Sequence, residues 1–473
     1  MTRPAPARVT GLGGLTLTLT KARFAARQGD STLYLSATVA YLVTSALALT
    51  VAGGTWMFYN RYQDPALNPL LESIGPDGVM LSLSYLILAL LACALVVPSM
   101  ISLAAAAAVL GARGRERRLA ALRLLGLSSG DVTRMSLVDT VLQAVIGSLG
   151  GLVIYLVSLP AWRALVMQGK AIDASEMMLP WWMILAVLAG TILIGLASTA
   201  WGLQQVRISP LGVSRRSVPP ALRIWRLWVF LGLVALFFVI NTLVPLNSGM
   251  IAWLVMIGVI VVVVQGLNLV APWLLQQVAK LFAHSSNPSI MWAARRIQAN
   301  AKTTWKRAGG ISLLCFIGGF VALTPMSLGT GASQDVFDAL TWDFTKGVII
   351  TLAVGFVLTS ISIFITQASA VFERAEQTVA MDKMGAPATY TTQVMWLETL
   401  GPVIIAVVIG AGLGALLAIP MYNMATSMGR QSSDGILAMG VVMAIGILLA
   451  MLALAACSPL QRRVLSEHRR AND

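Results

Sequence analysis

Two carboxylates, Asp139 and Glu398, stand where long apolar runs begin. Each follows a short stretch carrying arginine and glycine: "RERRLAALRLLGLSSGDVTRMSLVDT" before the first run and "RAEQTVAMDKMGAPATYTTQVMWLET" before the second. An acid entering an apolar run is costly unless it is paired or close to the boundary. Both lie within about one turn of that boundary, which favours an interfacial acid that pairs with nearby arginines or caps a helix N-terminus. The alternative is a hinge contact that changes between working states of the chain. A midplane proton carrier would need a deeper position.

Other reactive residue types are sparse. His284 and His468 are far apart, and Cys93, Cys315 and Cys457 fall inside apolar runs, where they act as small apolar residues. No GxxxxGK[ST] occurs, no loop could house an ATPase, and no paired carboxylates, zinc ligands or Ser–His pair sit at helical spacing in an apolar run. The expectation is a chain with no catalytic, cofactor or metal residues, which is not an enzyme. Any nucleotide energy would come from a separate chain.

The elements that position the two acids follow from composition. At 57% apolar and 11% charged, the chain has more hydrophobic surface than a soluble core can hide. Roughly 20 helical residues cross about 30 Å of hydrocarbon. Ten runs are long enough, near residues 33–55, 79–111, 137–160, 181–203, 228–247, 249–272, 309–329, 346–372, 395–421 and 436–457. The expected fold is an all-α polytopic membrane protein. The basic segment 1–32 shows no cleavable signal pattern, so targeting falls to the first span.

Ten spans put both termini on one side, and 28 of the 33 Lys and Arg residues gather there; the other side holds Arg61, Arg163, Lys170, Lys346 and Arg430. The positive-inside rule makes the basic side cytoplasmic, in a bacterial membrane by the high-GC flavour of the composition. A net charge of +14 therefore needs no nucleic acid, and the basic residues sit in membrane-proximal loops rather than on a soluble domain.

The stretch after Ala112 reads as a short helix that Gly126 ends as a left-handed C-cap residue, with Ser128 and Asp131 opening the next helix as a capping box. A shift of 259 residues lays it on the stretch before Glu398: Arg115 meets Arg374, Gly126 meets Gly385, Asp139 meets Glu398 and Thr140 meets Thr399. The span pattern repeats too, with a Ser-Pro-Leu after the fourth span of each copy, at Ser209 and Ser458. Their offset is 249, so the first copy has about ten extra residues in the loop between its third and fourth spans. The expected organisation is a basic segment 1–32, a four-helix repeat 33–215, a two-helix linker 216–280, a second four-helix repeat 281–460 and a tail 461–473, with the repeats parallel. A plain positive anchor meeting lipid phosphate is the simpler reading of the arginines, but it leaves the matching glycine and acid unexplained.

These residues resemble the FtsX-like (MacB-type) permeases of ABC transporters. "RERRLAALRLLGLSSGDVTRMSLVDTVLQAVIGSLGG" is similar to their cytoplasmic element and following glycine-rich span, and "ERAEQTVAMDKMGAPATYTTQVMWLETLGPVIIAVVIGAGLG" is a more diverged copy. The resemblance implies coupling helices that dock on a separate ATPase, carried by Arg115, Arg118, Leu119, Leu122, Leu125 and Gly126 in the first copy and by Arg374, Met381, Met384 and Gly385 in the second. It also implies one permease chain served by two ATPase copies that hold ATP and Mg. The chain departs from the family in having only residues 56–78 and about 330–345 where many members insert a large extracellular domain, too few for a folded one.

Gly147 with Gly151, and Gly410 with Gly414, form GxxxG pairs that let helices approach closely or slide. The second and eighth spans are long enough to project as stalks, Pro98 should kink the second, and Thr359, Ser360, Ser362, Thr366, Gln367 and Ser369 make the eighth polar in its inner half. Helix packing and a substrate path explain those hydroxyls equally. Met178, Trp181 and Trp182, with Trp56 and Trp342, suit an outer interfacial belt.

The leading functional expectation is a permease subunit that exports or extracts a hydrophobic or amphipathic compound, such as an antimicrobial peptide, lipid or lipophilic drug. A non-transporting mechanotransducer or a sensor partner is the alternative. An ion-coupled secondary transporter is weaker, because the deep spans offer only neutral groups such as Gln143, Asn241, Gln265 and Asn268.

Overall fold

The computed structural model describes residues 30–64, 82–90, 92–94, 96–97, 99–108, 129–207, 223–243, 250–323, 334–427 and 433–459. The chain is an all-α polytopic membrane protein: among the described residues, ten helices are long and apolar enough to cross a membrane. It divides into two compact units, Met1–Ser214 and Arg215–Asp473.

The first unit contains α1 (Asp30–Gln63), α2 (Ser82–Ala108), α3 (Ser129–Ser158), a short α4 (Ala174–Met177) and α5 (Trp181–Arg207). A 3-10 turn (Leu159–Ala164) and a small hairpin of β1 (Val166–Met167) and β2 (Lys170–Ala171) lie between α3 and α4. The second unit contains α6 (Trp225–Leu243), α7 (Met250–Phe282), α8 (Pro288–Ala299), α9 (Ala301–Leu323), α10 (Gln334–Glu373), α11 (Ala375–Lys383), α12 (Ala388–Ser427) and α13 (Ser433–Ala455).

Close helix approach holds each unit together. In the first, α3 packs along α1: a Cβ on Gly147 would lie 2.6 Å from the Thr38 carbonyl oxygen, and one on Gly151 would collide with Ser45 Oγ. In the second, α12 packs along α9, where a Cβ on Gly410 would strike the Ser312 carbonyl, one on Gly414 the Phe316 carbonyl, and one on Gly319 the Ala411 carbonyl. Lipid is as apolar as leucine, so dispersion across such seams, rather than escape from water, drives the association. Phe237, Val263, Leu267, Trp305 and Phe316 build one core of the second unit; Leu314, Cys315, Leu352, Phe356 and Met439 build another.

Helix ends depart from the apolar runs. α1 continues past residue 55 to Gln63, carrying Arg61 with it. α9 begins at Ala301, ahead of the apolar run at 309, because Thr304, Trp305 and Ala308 are buried by packing. A hydropathy window registers composition and is blind to neighbours, so tertiary burial moves these limits.

α10 and α12 each run 40 residues, or about 60 Å at 1.5 Å per residue. Two threonines of α10 bond back to their own helix: Thr359 Oγ1 donates to the Gly355 carbonyl at 2.8 Å and Thr366 Oγ1 to the Ser362 carbonyl at 2.6 Å. Thr359, Ser360, Gln367 and Ser369 are buried. Met178, Trp181, Trp182 and Trp342 are exposed, and Trp56 meets Trp182 edge-on at 6.3 Å. Pro98, the Ser128 cap and the first arginine-rich element lie outside the described residues.

Candidate functional site

α10 ends at Glu373, and after Arg374 the chain restarts as the nine-residue α11. α11 closes on Gly385, whose φ of +82° lies in the left-handed region. The Gly385 N–H donates to the Asp382 carbonyl and the Ala386 N–H to the Met381 carbonyl, both at 3.0 Å. That pair of bonds is a Schellman motif, which satisfies the last carbonyls and turns the chain sharply. Residues with a Cβ are disfavoured there, which is why glycine occupies the position. α12 then begins at Ala388.

Glu398 points from α12 back at the start of α11. Arg374 grips it with both ends of its guanidinium, Nη1 to Oε2 at 2.7 Å and Nη2 to Oε1 at 2.9 Å. Arg296, from α8, donates Nη1 to the same Oε2 at 3.4 Å and stacks over Trp292 at 5.4 Å from the ring centroid. The bidentate fork fixes direction as well as distance, so α11 is held to the base of α12 by one carboxylate. Burial, and then the charge of Arg374, lowers the Arg296 pKa, although Glu398 works against the shift.

Further bonds tie the same end together. Gln367 Nε2 donates to Thr399 Oγ1 at 2.6 Å, joining α10 to α12. Ser289 Oγ donates to Gln393 Oε1 at 2.9 Å, joining α8 to α12. Asn287 caps α8 by accepting from the Ser289 N–H at 3.0 Å. Between α8, α10, α11 and α12 lies a cavity of about 360 Å³, whose walls include Trp292, Arg296, Arg374, Gln377 and Tyr390.

The sequence-derived residues separate here. Met384 is 73% exposed at the tip of the turn, Met381 lines the cavity, and Arg374 and Gly385 hold the turn in place. In the first unit, Arg115, Arg118, Leu119, Leu122, Leu125 and Gly126 lie outside the described residues. Asp139 is buried at 2% exposure, and next to it Thr140 Oγ1 meets Thr199 Oγ1 at 3.2 Å, linking α3 to α5. Gly147 and Gly151, and Gly410 and Gly414, lie in the helix seams. Among the described residues no three His, Cys, Asp or Glu side chains cluster as a metal site.

A second polar centre escaped the sequence reading. The stretch 159–180 folds over the far end of α1 and α3, opposite the Asp139 end. Its hairpin turns through Gln168 and Gly169, with φ of 58° and 75°, the two positive values of a type I′ turn. Arg61 is fully buried beneath it. Its Nη2 and Nε reach Glu176 Oε2 at 2.7 and 2.8 Å, and Nη1 donates to the Met167 carbonyl at 2.7 Å. Lys170 Nζ meets Glu176 Oε1 at 2.6 Å. Tyr155 Oη donates to the Met177 carbonyl at 2.5 Å and accepts from the Leu179 N–H at 3.2 Å. Burial works to raise the Glu176 pKa, but hydrogen bonds from Lys170 and Arg61, with their charges, hold it below the ordinary value. The available signals were Arg61 on the side poor in basic residues and the ten extra residues of this loop. Only folding joins them.

Comparison with known proteins falls within the first unit. No curated protein matches the chain. Residues 90–210 match the family described as FtsX-like permease C-terminal, a stretch that includes the first arginine-rich element, α3, the 159–180 cap and α5. This segment is therefore similar to an FtsX-like permease domain, and the likeness points to a membrane-embedded permease subunit of an ABC transporter that is not itself an ATPase.

Proposed function

We propose that the chain is the ten-span, MacB-type permease of an ABC exporter or extractor, built from two FtsX-like repeats without a large extracellular domain. A separate cytoplasmic ATPase, in two copies per chain, binds ATP and Mg and drives it. The basic ends of the helices and both termini are cytoplasmic, and the substrate is a hydrophobic or amphipathic compound taken from the membrane.

The observation that carries this reading is the Arg374–Glu398–Arg296 junction. A coupling helix must pass force into the spans without bending. α11 presents Met384 outward while Arg374 clamps it to α12, and α12 in turn packs against α9 through glycine contacts. A push on α11 therefore reaches a whole span. The first arginine-rich element, with Leu122 at its centre, serves the second ATPase copy.

The test is co-purification of the chain with its ATPase, comparing wild type with a Leu122→Asp, Met384→Asp double variant. Wild type should carry about two ATPase copies and hydrolyse ATP, and the variant should stay folded and come alone. An ATPase retained by the variant, or none with wild type, removes the coupling assignment and brings the transducer and secondary-transporter readings forward.

A further inference from the structure

We propose that the cavity among α8, α10, α11 and α12 binds the phosphate headgroup of an anionic membrane lipid, bridging α8 to the coupling helix α11. The proposal rests on the membrane reading and needs no ATPase.

Charge is the first argument. Arg296 and Arg374 both line the cavity, and each also reaches the carboxylate of Glu398. Arg307 adds a third positive charge to the surroundings of Glu398. Two guanidiniums on the wall of one partly desolvated cavity attract an anion.

The second argument is donor capacity. A guanidinium has five N–H donors. Among the described residues Arg296 uses one, in a 3.4 Å bond, and rests its face on Trp292. Its side chain is 27% exposed, so donors remain for a phosphate.

Position selects a lipid over a dissolved anion. α8 buries Ser289, Ala293, Ala294 and Ile297 and leaves Trp292 exposed, just after the exposed Leu281 and Phe282. An amphipathic helix with an outward tryptophan beside apolar side chains lies at headgroup depth. The cavity walls also include Ala370, Val371 and Val394, apolar surface for the glycerol and the first acyl carbons.

The experiment uses the purified full chain without ATPase, followed by native mass spectrometry with phosphatidylglycerol, with phosphatidylcholine of matched chains, and with inorganic phosphate as competitor. Wild type should retain phosphatidylglycerol about tenfold better than phosphatidylcholine, the weight of one charge-assisted contact, and inorganic phosphate should not displace it. Arg296→Gln should abolish the preference. Gln377→Glu, an exposed position on the cavity wall, should abolish it too, with no risk to the core. Arg295→Gln on the same helix should leave it intact. Equal retention of both lipids, or a preference that survives Arg296→Gln and Gln377→Glu, overturns the proposal. Displacement by inorganic phosphate would also overturn it, marking a site for free anions. A permease that fails to capture an ATPase leaves this readout unchanged.

Discussion

The two ionic centres are built from the same parts, one carboxylate shared by two cations, yet they differ in how their guanidiniums are enclosed. At Arg61–Glu176–Lys170 the guanidinium is wholly enclosed, and backbone carbonyls of the hairpin take up its other donors. At Arg374–Glu398–Arg296 the two guanidiniums keep 31% and 27% exposure and border a cavity. A closed ion pair has one geometry, because moving either partner strands a buried charge. An open one leaves guanidinium donors within reach of water or a ligand. The first therefore reads as a staple that fixes the 159–180 cap, and the second as a clamp whose guanidiniums stay open to water or a ligand.

Substitutions can break this comparison, the largest effect first. Glu176→Ala would leave Arg61 buried without its carboxylate, an expected loss of about 3–5 kcal/mol that thermal unfolding and proteolysis of the 159–180 stretch would register. A loss no larger than for the open centre would remove the distinction. The helix seams should not distinguish the units: Gly151→Ala and Gly410→Ala each drive a Cβ into neighbouring atoms and should cost about 1–3 kcal/mol alike. Gly440→Ala meets nothing and should melt like wild type. Unequal losses at Gly151 and Gly410 would mean that the units differ in their packing and not only at their ionic centres.

Glu398→Gln should cost about 1–2 kcal/mol, since its arginines can turn to water. On the coupling reading its main effect should be on ATP hydrolysis by the associated ATPase, and a stability loss equal to that of Glu176→Ala would remove the distinction between the two centres. Met384→Ala, at an exposed tip, should change the melting transition by no more than about 0.5 kcal/mol while weakening ATPase capture.

The closed centre also carries a pH signature. The Glu176 pKa is lower in the folded cap than in the unfolded chain, so its stabilisation is complete above the unfolded value. It is lost as pH falls through the folded one. Proteolysis of the cap should therefore accelerate only in acid, below the ordinary glutamate range, and a Glu176→Gln chain should lack that inflection. An inflection of equal size in the variant would assign the acid response to another group.

By itself the sequence determined the membrane class, because long apolar runs admit only helices whose backbone groups pair internally. It also placed a glycine where α11 has to turn, since Gly385 at positive φ is a local requirement of the chain, and put glycines where α3 and α12 meet their neighbours. Helix limits, the side of α11 that Met381 faces, and the meeting of Arg61 with Glu176 were decided only in the tertiary structure. Those two residues stand 115 positions apart, and neither spacing nor periodicity connects them. Arg296 reaches Glu398 across 102 positions for the same reason. Local physics sets what each segment is. Which charges share a carboxylate, and whether water reaches them, depends on how the helices pack.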